Sequence, residues 1–522
     1  MKPSFRTYYA WGLSLALGVA AFLFWCLRFP QALVYQEQIQ LFLFDAEYFA
    51  DCAKVPAGVA RWLAELLVQF YNNVLAGAAI IAGLYVLLQG LVWRLMRREN
   101  ASLVGYPLSF VPSLLVWLYM GDENMKLTFV AALLLGVGTM LAYPRRWSIG
   151  GRIGYLAVVM PLLHGVAGPV VLMLGLYVMV WEAFVSKRYL LAVGGAVYAV
   201  ASVLVFAPWV PYPLYRLFFG IGYSLVVDDV AMLQYIIMGV CALLPLAVRG
   251  VPSVEGSKAR VVALTEALVL AVVGVFGIPT SFDASKYEVL DYDYMVRAQR
   301  WDAIIAKAER KSPDSPLTVA SLNLALGMKG QLNERAMQFY QNGWQGAFPV
   351  FNKNFESSLM TAEIYYYLGL VNTAQRLDFE AIEAIPDNNK SARLVKRLAE
   401  TNLINGQYGV ARKYLLLLEK TLFYRKWAQE TMALINDEKA IDSHPVYGRM
   451  RQLRLTEDFL FSEQEVDKIM GKLVMRNADN YLAIQYLLLL PQLEGNQQKY
   501  MIYRDFVRKT LEERQKGGEK HE

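Results

Sequence analysis

The sequence is short of the residues from which most soluble enzymes build their sites. Its 522 residues include only three cysteines and three histidines. Cys26, Cys52 and Cys241 all fall in the first half, so the second half has no disulfide framework and no thiolate metal site. The histidines are too few for a zinc centre. No glycine loop that would cradle a phosphate, no nucleophile elbow and no His-Glu-x-x-His pair occurs. Charge is sparse as well: 18% of residues are charged against 56% hydrophobic, and the mean hydropathy is +0.30. That balance excludes an ordinary soluble protein. The net charge of +6 is modest, and membrane sidedness accounts for most of the basic residues, so no nucleic-acid partner is expected.

What is present is long apolar runs, confined to residues 1–280. Runs near 8–27, 74–93, 101–120, 127–143, 149–166, 169–185, 189–207, 228–248 and 261–279 approach the length that crosses a bilayer. They predict nine spans. The first has a basic start and an apolar core, as a secretory signal has. Its small-x-small site, Gly18-Val19-Ala20, lies inside that core, which predicts an uncleaved span. Alternate connections are basic: Lys2 and Arg6; Arg94, Arg97 and Arg98; Arg145, Arg146 and Arg152; Lys187 and Arg188; Arg249, Lys258 and Arg260. These are expected in the cytoplasm, which puts residues 281–522 outside, in the periplasm of a Gram-negative cell.

Residues 31–73, between the first two spans, do not read as a plain loop. Val59, Trp62, Leu63, Leu66, Leu67 and Phe70 recur at helical spacing, with Arg61, Glu65 and Gln69 on the opposite stripe. Pro56 and Gly58 divide this helix from an earlier one carrying Glu37, Asp45 and Glu47. The pattern predicts two amphipathic helices lying on the outer membrane surface. Glu37, Asp45 and Glu47 are the candidate catalytic residues: a fixed carboxylate at the lipid boundary can act as a general base or hold a divalent ion such as magnesium. The plainer alternative is a solvated helix face. Five further residues approach the same face and are candidate substrate ligands. His164 ends the fifth span, Tyr212 and Arg216 stand in the loop after the seventh, and Asp228 and Asp229 open the eighth. A guanidinium matches phosphate geometry, whereas paired acids at a helix start also suit its dipole. Glu99 and Glu182 fall on the opposite side, and Glu266 lies a turn inside the last span. No metal-ligand set stands out.

Residues 281–522 read as helical hairpins. Gly330, Gly369 and Gly406 mark turns 39 and 37 residues apart, close to the 34-residue tetratricopeptide period. A hairpin that cannot bury its apolar face alone stacks on the next, which predicts an all-α solenoid of roughly five repeats with a groove for a protein partner or acceptor. Tyr365, Tyr366 and Tyr367 sit inside a helix-like run and read as packing.

Two resemblances follow from these stretches. QEQIQLFLFDAEYF, the PAGVARWLAELLVQFYNN helix and the late NADNYLAIQYLLLL together resemble an uncharacterised family of Bacteroidetes membrane proteins, over essentially the whole chain. That resemblance implies a Gram-negative inner membrane and brings no activity with it. The architecture is similar to the GT-C superfamily of membrane glycosyltransferases: a first span, an acidic outer loop of two helices, many spans, then an outer domain. The likeness implies a polyprenyl-phosphate-linked sugar donor and an essential acid in the first outer loop, where Asp45-x-Glu47 replaces the usual dyad. The expectation is therefore a multi-pass protein with a membrane bundle over 1–280 and a repeat domain over 281–522. It acts either as a transferase at the outer face or as a non-enzymatic scaffold for envelope assembly or export.

Overall fold

The computed structural model describes residues 5–226, 231–250, 256–350, 355–387, 389–456 and 466–518. It is helical throughout. Among the described residues the only β-type pairing is an isolated bridge between Met125 and Ser224. The chain divides into two compact units, Met1–Ala284 and Ser285–Glu522.

The first unit contains α1 (Phe5–Leu23), α2 (Pro30–Gln38), α3 (Ala46–Ala53), α4 (Gly58–Val68), α5 (Val74–Arg97), α6 (Val111–Tyr119), α7 (Leu127–Ala142), α8 (Ile149–Ala167), α9 (Val171–Val180), α10 (Tyr189–Leu204), α11 (Leu214–Phe219), α12 (Met232–Ala247) and α13 (Gly256–Gly277). Six helical segments are long and apolar enough to cross a membrane: Tyr8–Arg28, Val74–Arg97, Ile149–Val185, Tyr189–Trp209, Met232–Gly250 and Lys258–Ser281. Pro107–Tyr119 and Leu127–Ala142 are apolar but shorter. Large side chains on the outermost helices stand exposed, Leu190 at 94% and Phe276 at 74% among them. Such surfaces suit lipid rather than water, and the unit is that of a multi-pass membrane protein in contact with the bilayer.

Local chemistry sets the helix boundaries. Asn73 caps α5 by accepting from the Leu75 and Ala76 amides at 3.0 and 3.3 Å, and Arg94 and Arg97 close its last turn. Within the apolar stretch Ile149–Val185, Gly168 takes φ +72° and Pro169 follows, so α8 stops and α9 starts anew. Ion pairs knit one end of the unit together. Glu99 holds Arg145 and Arg249, each at 2.6 Å. Glu182 holds Arg152 at 2.9 Å and accepts from the Tyr143 hydroxyl at 2.5 Å.

The segment between the first two spans differs from expectation. α4 packs against α7 and α8, and α2 is sandwiched near α5, so neither helix simply lies on the surface of the bundle. The stripe turned inward on α4 is the polar one: Arg61, Glu65 and Gln69 are buried with Ala60, Ala64 and Val68. Trp62, Leu63, Leu66, Leu67 and Phe70 are only half-buried. Periodicity located both stripes, but in a membrane unit the apolar one is free to face lipid while the polar one seeks partners inside.

The second unit begins with α14 (Ala284–Arg297) and continues with α15 (Trp301–Arg310), α16 (Pro316–Met328), α17 (Leu332–Arg335), α18 (Phe355–Leu368), α19 (Val371–Glu383), α20 (Ala392–Ile404), α21 (Tyr408–Glu419), α22 (Arg425–Met432), α23 (Glu438–Ser443), α24 (Tyr447–Leu453), α25 (Val466–Arg476), α26 (Tyr481–Leu493) and α27 (Gln497–Gly518). Neighbours pair as hairpins: α15 with α16, α18 with α19, α20 with α21, α26 with α27. The turns that follow α16, α18, α20 and α26 share one geometry. At Gly330, Gly369, Gly406 and Gly495 a left-handed residue is followed by an amide that reaches five residues back, as from Gln407 to the Asn402 carbonyl at 2.8 Å. Gln299 makes the same turn at φ 51° without being a glycine.

The hairpins do not simply run on in a line. α26 returns to pack on α16, α17 and α18. Gln485 clasps the return, donating to the Gly327 carbonyl at 3.0 Å and accepting from the Leu332 amide at 3.1 Å. Asn480 donates to the Leu368 carbonyl at 2.8 Å while its oxygen caps α26 at the Ala483 amide. An open solenoid touches only nearest neighbours, so this unit departs from that plan.

Candidate functional site

The residues expected to act together in the first unit occupy different environments. Glu37, in α2, is 3% exposed. Its neighbour Gln36 donates to the Glu123 and Met125 carbonyls at 2.7 and 3.2 Å, tying α2 to the turn before α7. Asp45 is the N-cap of α3, accepting from the Glu47 amide at 3.1 Å, and is half-buried. Glu47 is exposed. An aspartate immediately before a helical run is a readable capping signal, and it gives Asp45 a structural task. Arg216 is buried in α11, with its guanidinium 5.5 Å from the Tyr212 ring centre. His164 is fully buried beside the Phe206 ring, and neither ring nitrogen has a hydrogen-bond partner of good geometry. Asp228 and Asp229 lie outside the described residues.

The polar cluster that does form in this region comes from α3 and α4. The Arg61 Nε donates to Glu65 Oε1 at 2.9 Å, and the Tyr48 hydroxyl donates to Glu65 Oε2. Burial, then the Glu65 charge, raises the Tyr48 phenol far above its ordinary value, so it remains a donor. The same two causes push the Cys52 thiol up to about 11. Gly222 approaches the Arg61 side chain, and the Tyr223 hydroxyl donates to the Ala167 carbonyl. Segments far apart in sequence thus close over one buried ion pair. Both of its partners are engaged with each other. A wholly apolar groove of about 430 Å³ runs between α1, α6 and α13, floored by small residues such as Ala20, Ala271 and Gly274.

The second unit holds a cavity of a different character, about 650 Å³, between α18, α20, α22 and α24. At its base one terminal nitrogen of Arg393 donates to both Asp293 carboxylate oxygens, at 3.0 and 2.8 Å, and the other reaches Glu363 at 3.0 Å. Arg397 takes the other Glu363 oxygen at 2.7 Å and Glu400 at 2.8 Å, with its guanidinium 3.7 Å above the Tyr366 ring. Burial alone would raise the Glu363 carboxyl, but Arg397 and Arg393 hold it down at about 2. Asp378, buried close by, is pushed well up by burial. The rim is aromatic. Lys396 stands 4.8 Å over Trp427, and His444 stacks on Tyr447 at 4.1 Å, its Nδ1 accepting from the Val446 and Tyr447 amides. Gln299 donates to the Tyr367 hydroxyl at 3.0 Å, and Arg297 donates to that of Tyr424 at 3.4 Å. Among the described residues no three His, Cys, Asp or Glu side chains gather as a metal site requires.

The model of a family of unknown function, DUF6057, matches residues 6–513. The chain belongs to DUF6057. No curated protein and no solved structure matches it. In this DUF6057 chain the sequence reading reached the helices of 31–73 but missed the second-unit cavity, whose lining comes from α14 to α24. One partial signal was present. Of the three consecutive tyrosines, Tyr365 stacks on Phe348 and Tyr366 lies under Arg397, as packing residues do, whereas Tyr367 lines the cavity. Successive helical positions point in different directions, so a run of one residue type need not share one role.

Proposed function

We propose that this protein is a nine-span inner-membrane anchor that carries a helical-hairpin domain in the periplasm and works by binding rather than by sugar transfer. The observation that carries the reading is where its chemistry is concentrated. In the first unit Asp45 caps a helix, Glu47 is exposed and Glu65 is occupied by Arg61 and Tyr48. In the second unit a preorganised cavity combines fixed polar groups with aromatic walls, the usual make-up of a ligand site. Nine spans follow when the break at Gly168 divides Ile149–Val185 in two and the shorter apolar helices α6 and α7 are counted. Arg145, Arg152 and Arg249, held in ion pairs, and Arg98, which donates to the Leu141 carbonyl, form the basic end that the positive-inside rule assigns to the cytoplasm. An alkaline-phosphatase fusion after Ala284 is then active, and one after Arg188 is inactive; the reverse pattern rejects the topology.

Complementation of a deletion strain separates binding from catalysis. Asp45→Asn with Glu47→Gln restores the phenotype fully, whereas removal of 285–522 fails at a normal membrane level. Loss of function in the double carboxylate variant, at normal abundance, defeats the binding reading. The transferase alternative retains support at Glu37, which is buried in the same unit as Arg216 and His164. Glu37→Gln in the same assay reads that alternative directly.

A further inference from the structure

We infer that the cavity of the second unit is a carbohydrate site that takes a neutral oligosaccharide; this names the ligand class within the binding function proposed above. Four cations line it, Arg297, Arg393, Lys396 and Arg397, against three carboxylates, Glu363, Glu400 and Glu430. Asp293, which holds Arg393 from behind the lining, brings the count to balance. An ion of either sign gains no net attraction from such walls, and a strongly charged ligand would have to compete with pairs already made at 2.7–3.0 Å.

What the walls do offer is directional hydrogen bonding from side chains that cannot turn away. The planar groups of Arg393, Arg397 and Glu363 are locked by mutual contacts, with Arg393 and Glu363 buried and Arg397 partly exposed. The Tyr367 hydroxyl, which accepts from Gln299, and the Nε2–H of His444, whose Nδ1 is engaged as an acceptor, add donors. Locked donors and acceptors suit a ligand rich in fixed hydroxyls, whose hydrogen bonds are directional and uncharged. The remaining lining is aromatic rather than aliphatic: Tyr424, Trp427 and Tyr447 against Leu434 and Val446. Flat aromatic surfaces beside polar groups match the alternating C–H faces and hydroxyl edges of a pyranose. A peptide side chain would gain more from an aliphatic pocket. The cavity, about 650 Å³, lies within the roughly 300–1,000 Å³ range of small-ligand sites.

The test uses the full-length chain in lipid nanodiscs, applied to an array of neutral oligosaccharides, their sulfated or uronic counterparts and unstructured peptides. Retention on neutral oligosaccharides, unaffected by added salt, is the expected result. Trp427→Ala and the near-isosteric Tyr367→Phe each weaken it at least tenfold, with unchanged thermal unfolding of the Tyr367 variant guarding against a folding artefact. Retention of acidic glycans only, of peptides only or of nothing overturns the proposal, as does binding that survives both substitutions. If Trp427→Ala complements the deletion strain fully, the carbohydrate site is rejected while the anchor-and-domain reading stands on its truncation result.

Discussion

Glu363→Gln is expected to cost the second unit about 3–5 kcal/mol. Glu363 is the carboxylate shared by Arg393 and Arg397, one oxygen to each, with Glu363 and Arg393 buried and Arg397 partly exposed. Neutralising it leaves two guanidiniums side by side in low dielectric, where Asp293 and Glu400 must compensate them unaided. The measure is the urea midpoint of the unfolding step belonging to residues 285–522, followed in the full-length protein. A midpoint unchanged by the substitution would mean that the network is idle. pH gives a second readout. The Glu363 carboxyl is held at about 2 when folded against an ordinary 4.5, so its contribution is complete above about 4.5 and disappears as pH falls towards 2. Wild-type and variant stabilities should therefore converge in acid and separate as pH rises.

Gly58→Ala should open the α3–α4 corner. A Cβ at Gly58 would sit 1.7 Å from the Cys52 carbonyl oxygen and 2.6 Å from its carbon. Both are backbone atoms of the preceding helix, so no side-chain rotation relieves the clash, and a cost of about 1–3 kcal/mol or more follows. The neighbouring Ala57 already holds φ 68°, which leaves the turn little room to adjust. Cys52 reports on the result, being 4% exposed and held as a thiol by burial. In a background lacking Cys26 and Cys241, maleimide labelling of Cys52 should accelerate at least tenfold in the alanine variant. If labelling stays slow, α3 and α4 are not joined as described.

How far the sequence could be read depended on the range of the interaction. The hairpins of the second unit were legible because Gly330, Gly369 and Gly406 announce left-handed turns at nearly constant spacing. The return of α26 was not, since it rests on Gln485 meeting Gly327 and Leu332, more than 150 residues away, and nothing local marks that glutamine. The stripes of α4 were legible and their orientation was not. Arg61 and Glu65 look like a solvated face by the logic of water-soluble helices, yet they pair with each other and turn inward. The capping role of Asp45 was available from its position, and a catalytic reading of the same carboxylate overlooked it.

The Gln485 clasp has a consequence for how the chain is made. α26 completes the packing of α16, α17 and α18, so the first hairpins to emerge during synthesis wait for nearly the last helix before their core is covered. In an open repeat array each module contacts only its neighbours, so structure can propagate as modules leave the ribosome. Here the ring of contacts closes only once, late, and a nascent domain stopped short of Tyr481 would present an uncovered apolar wall to whatever chaperones meet it.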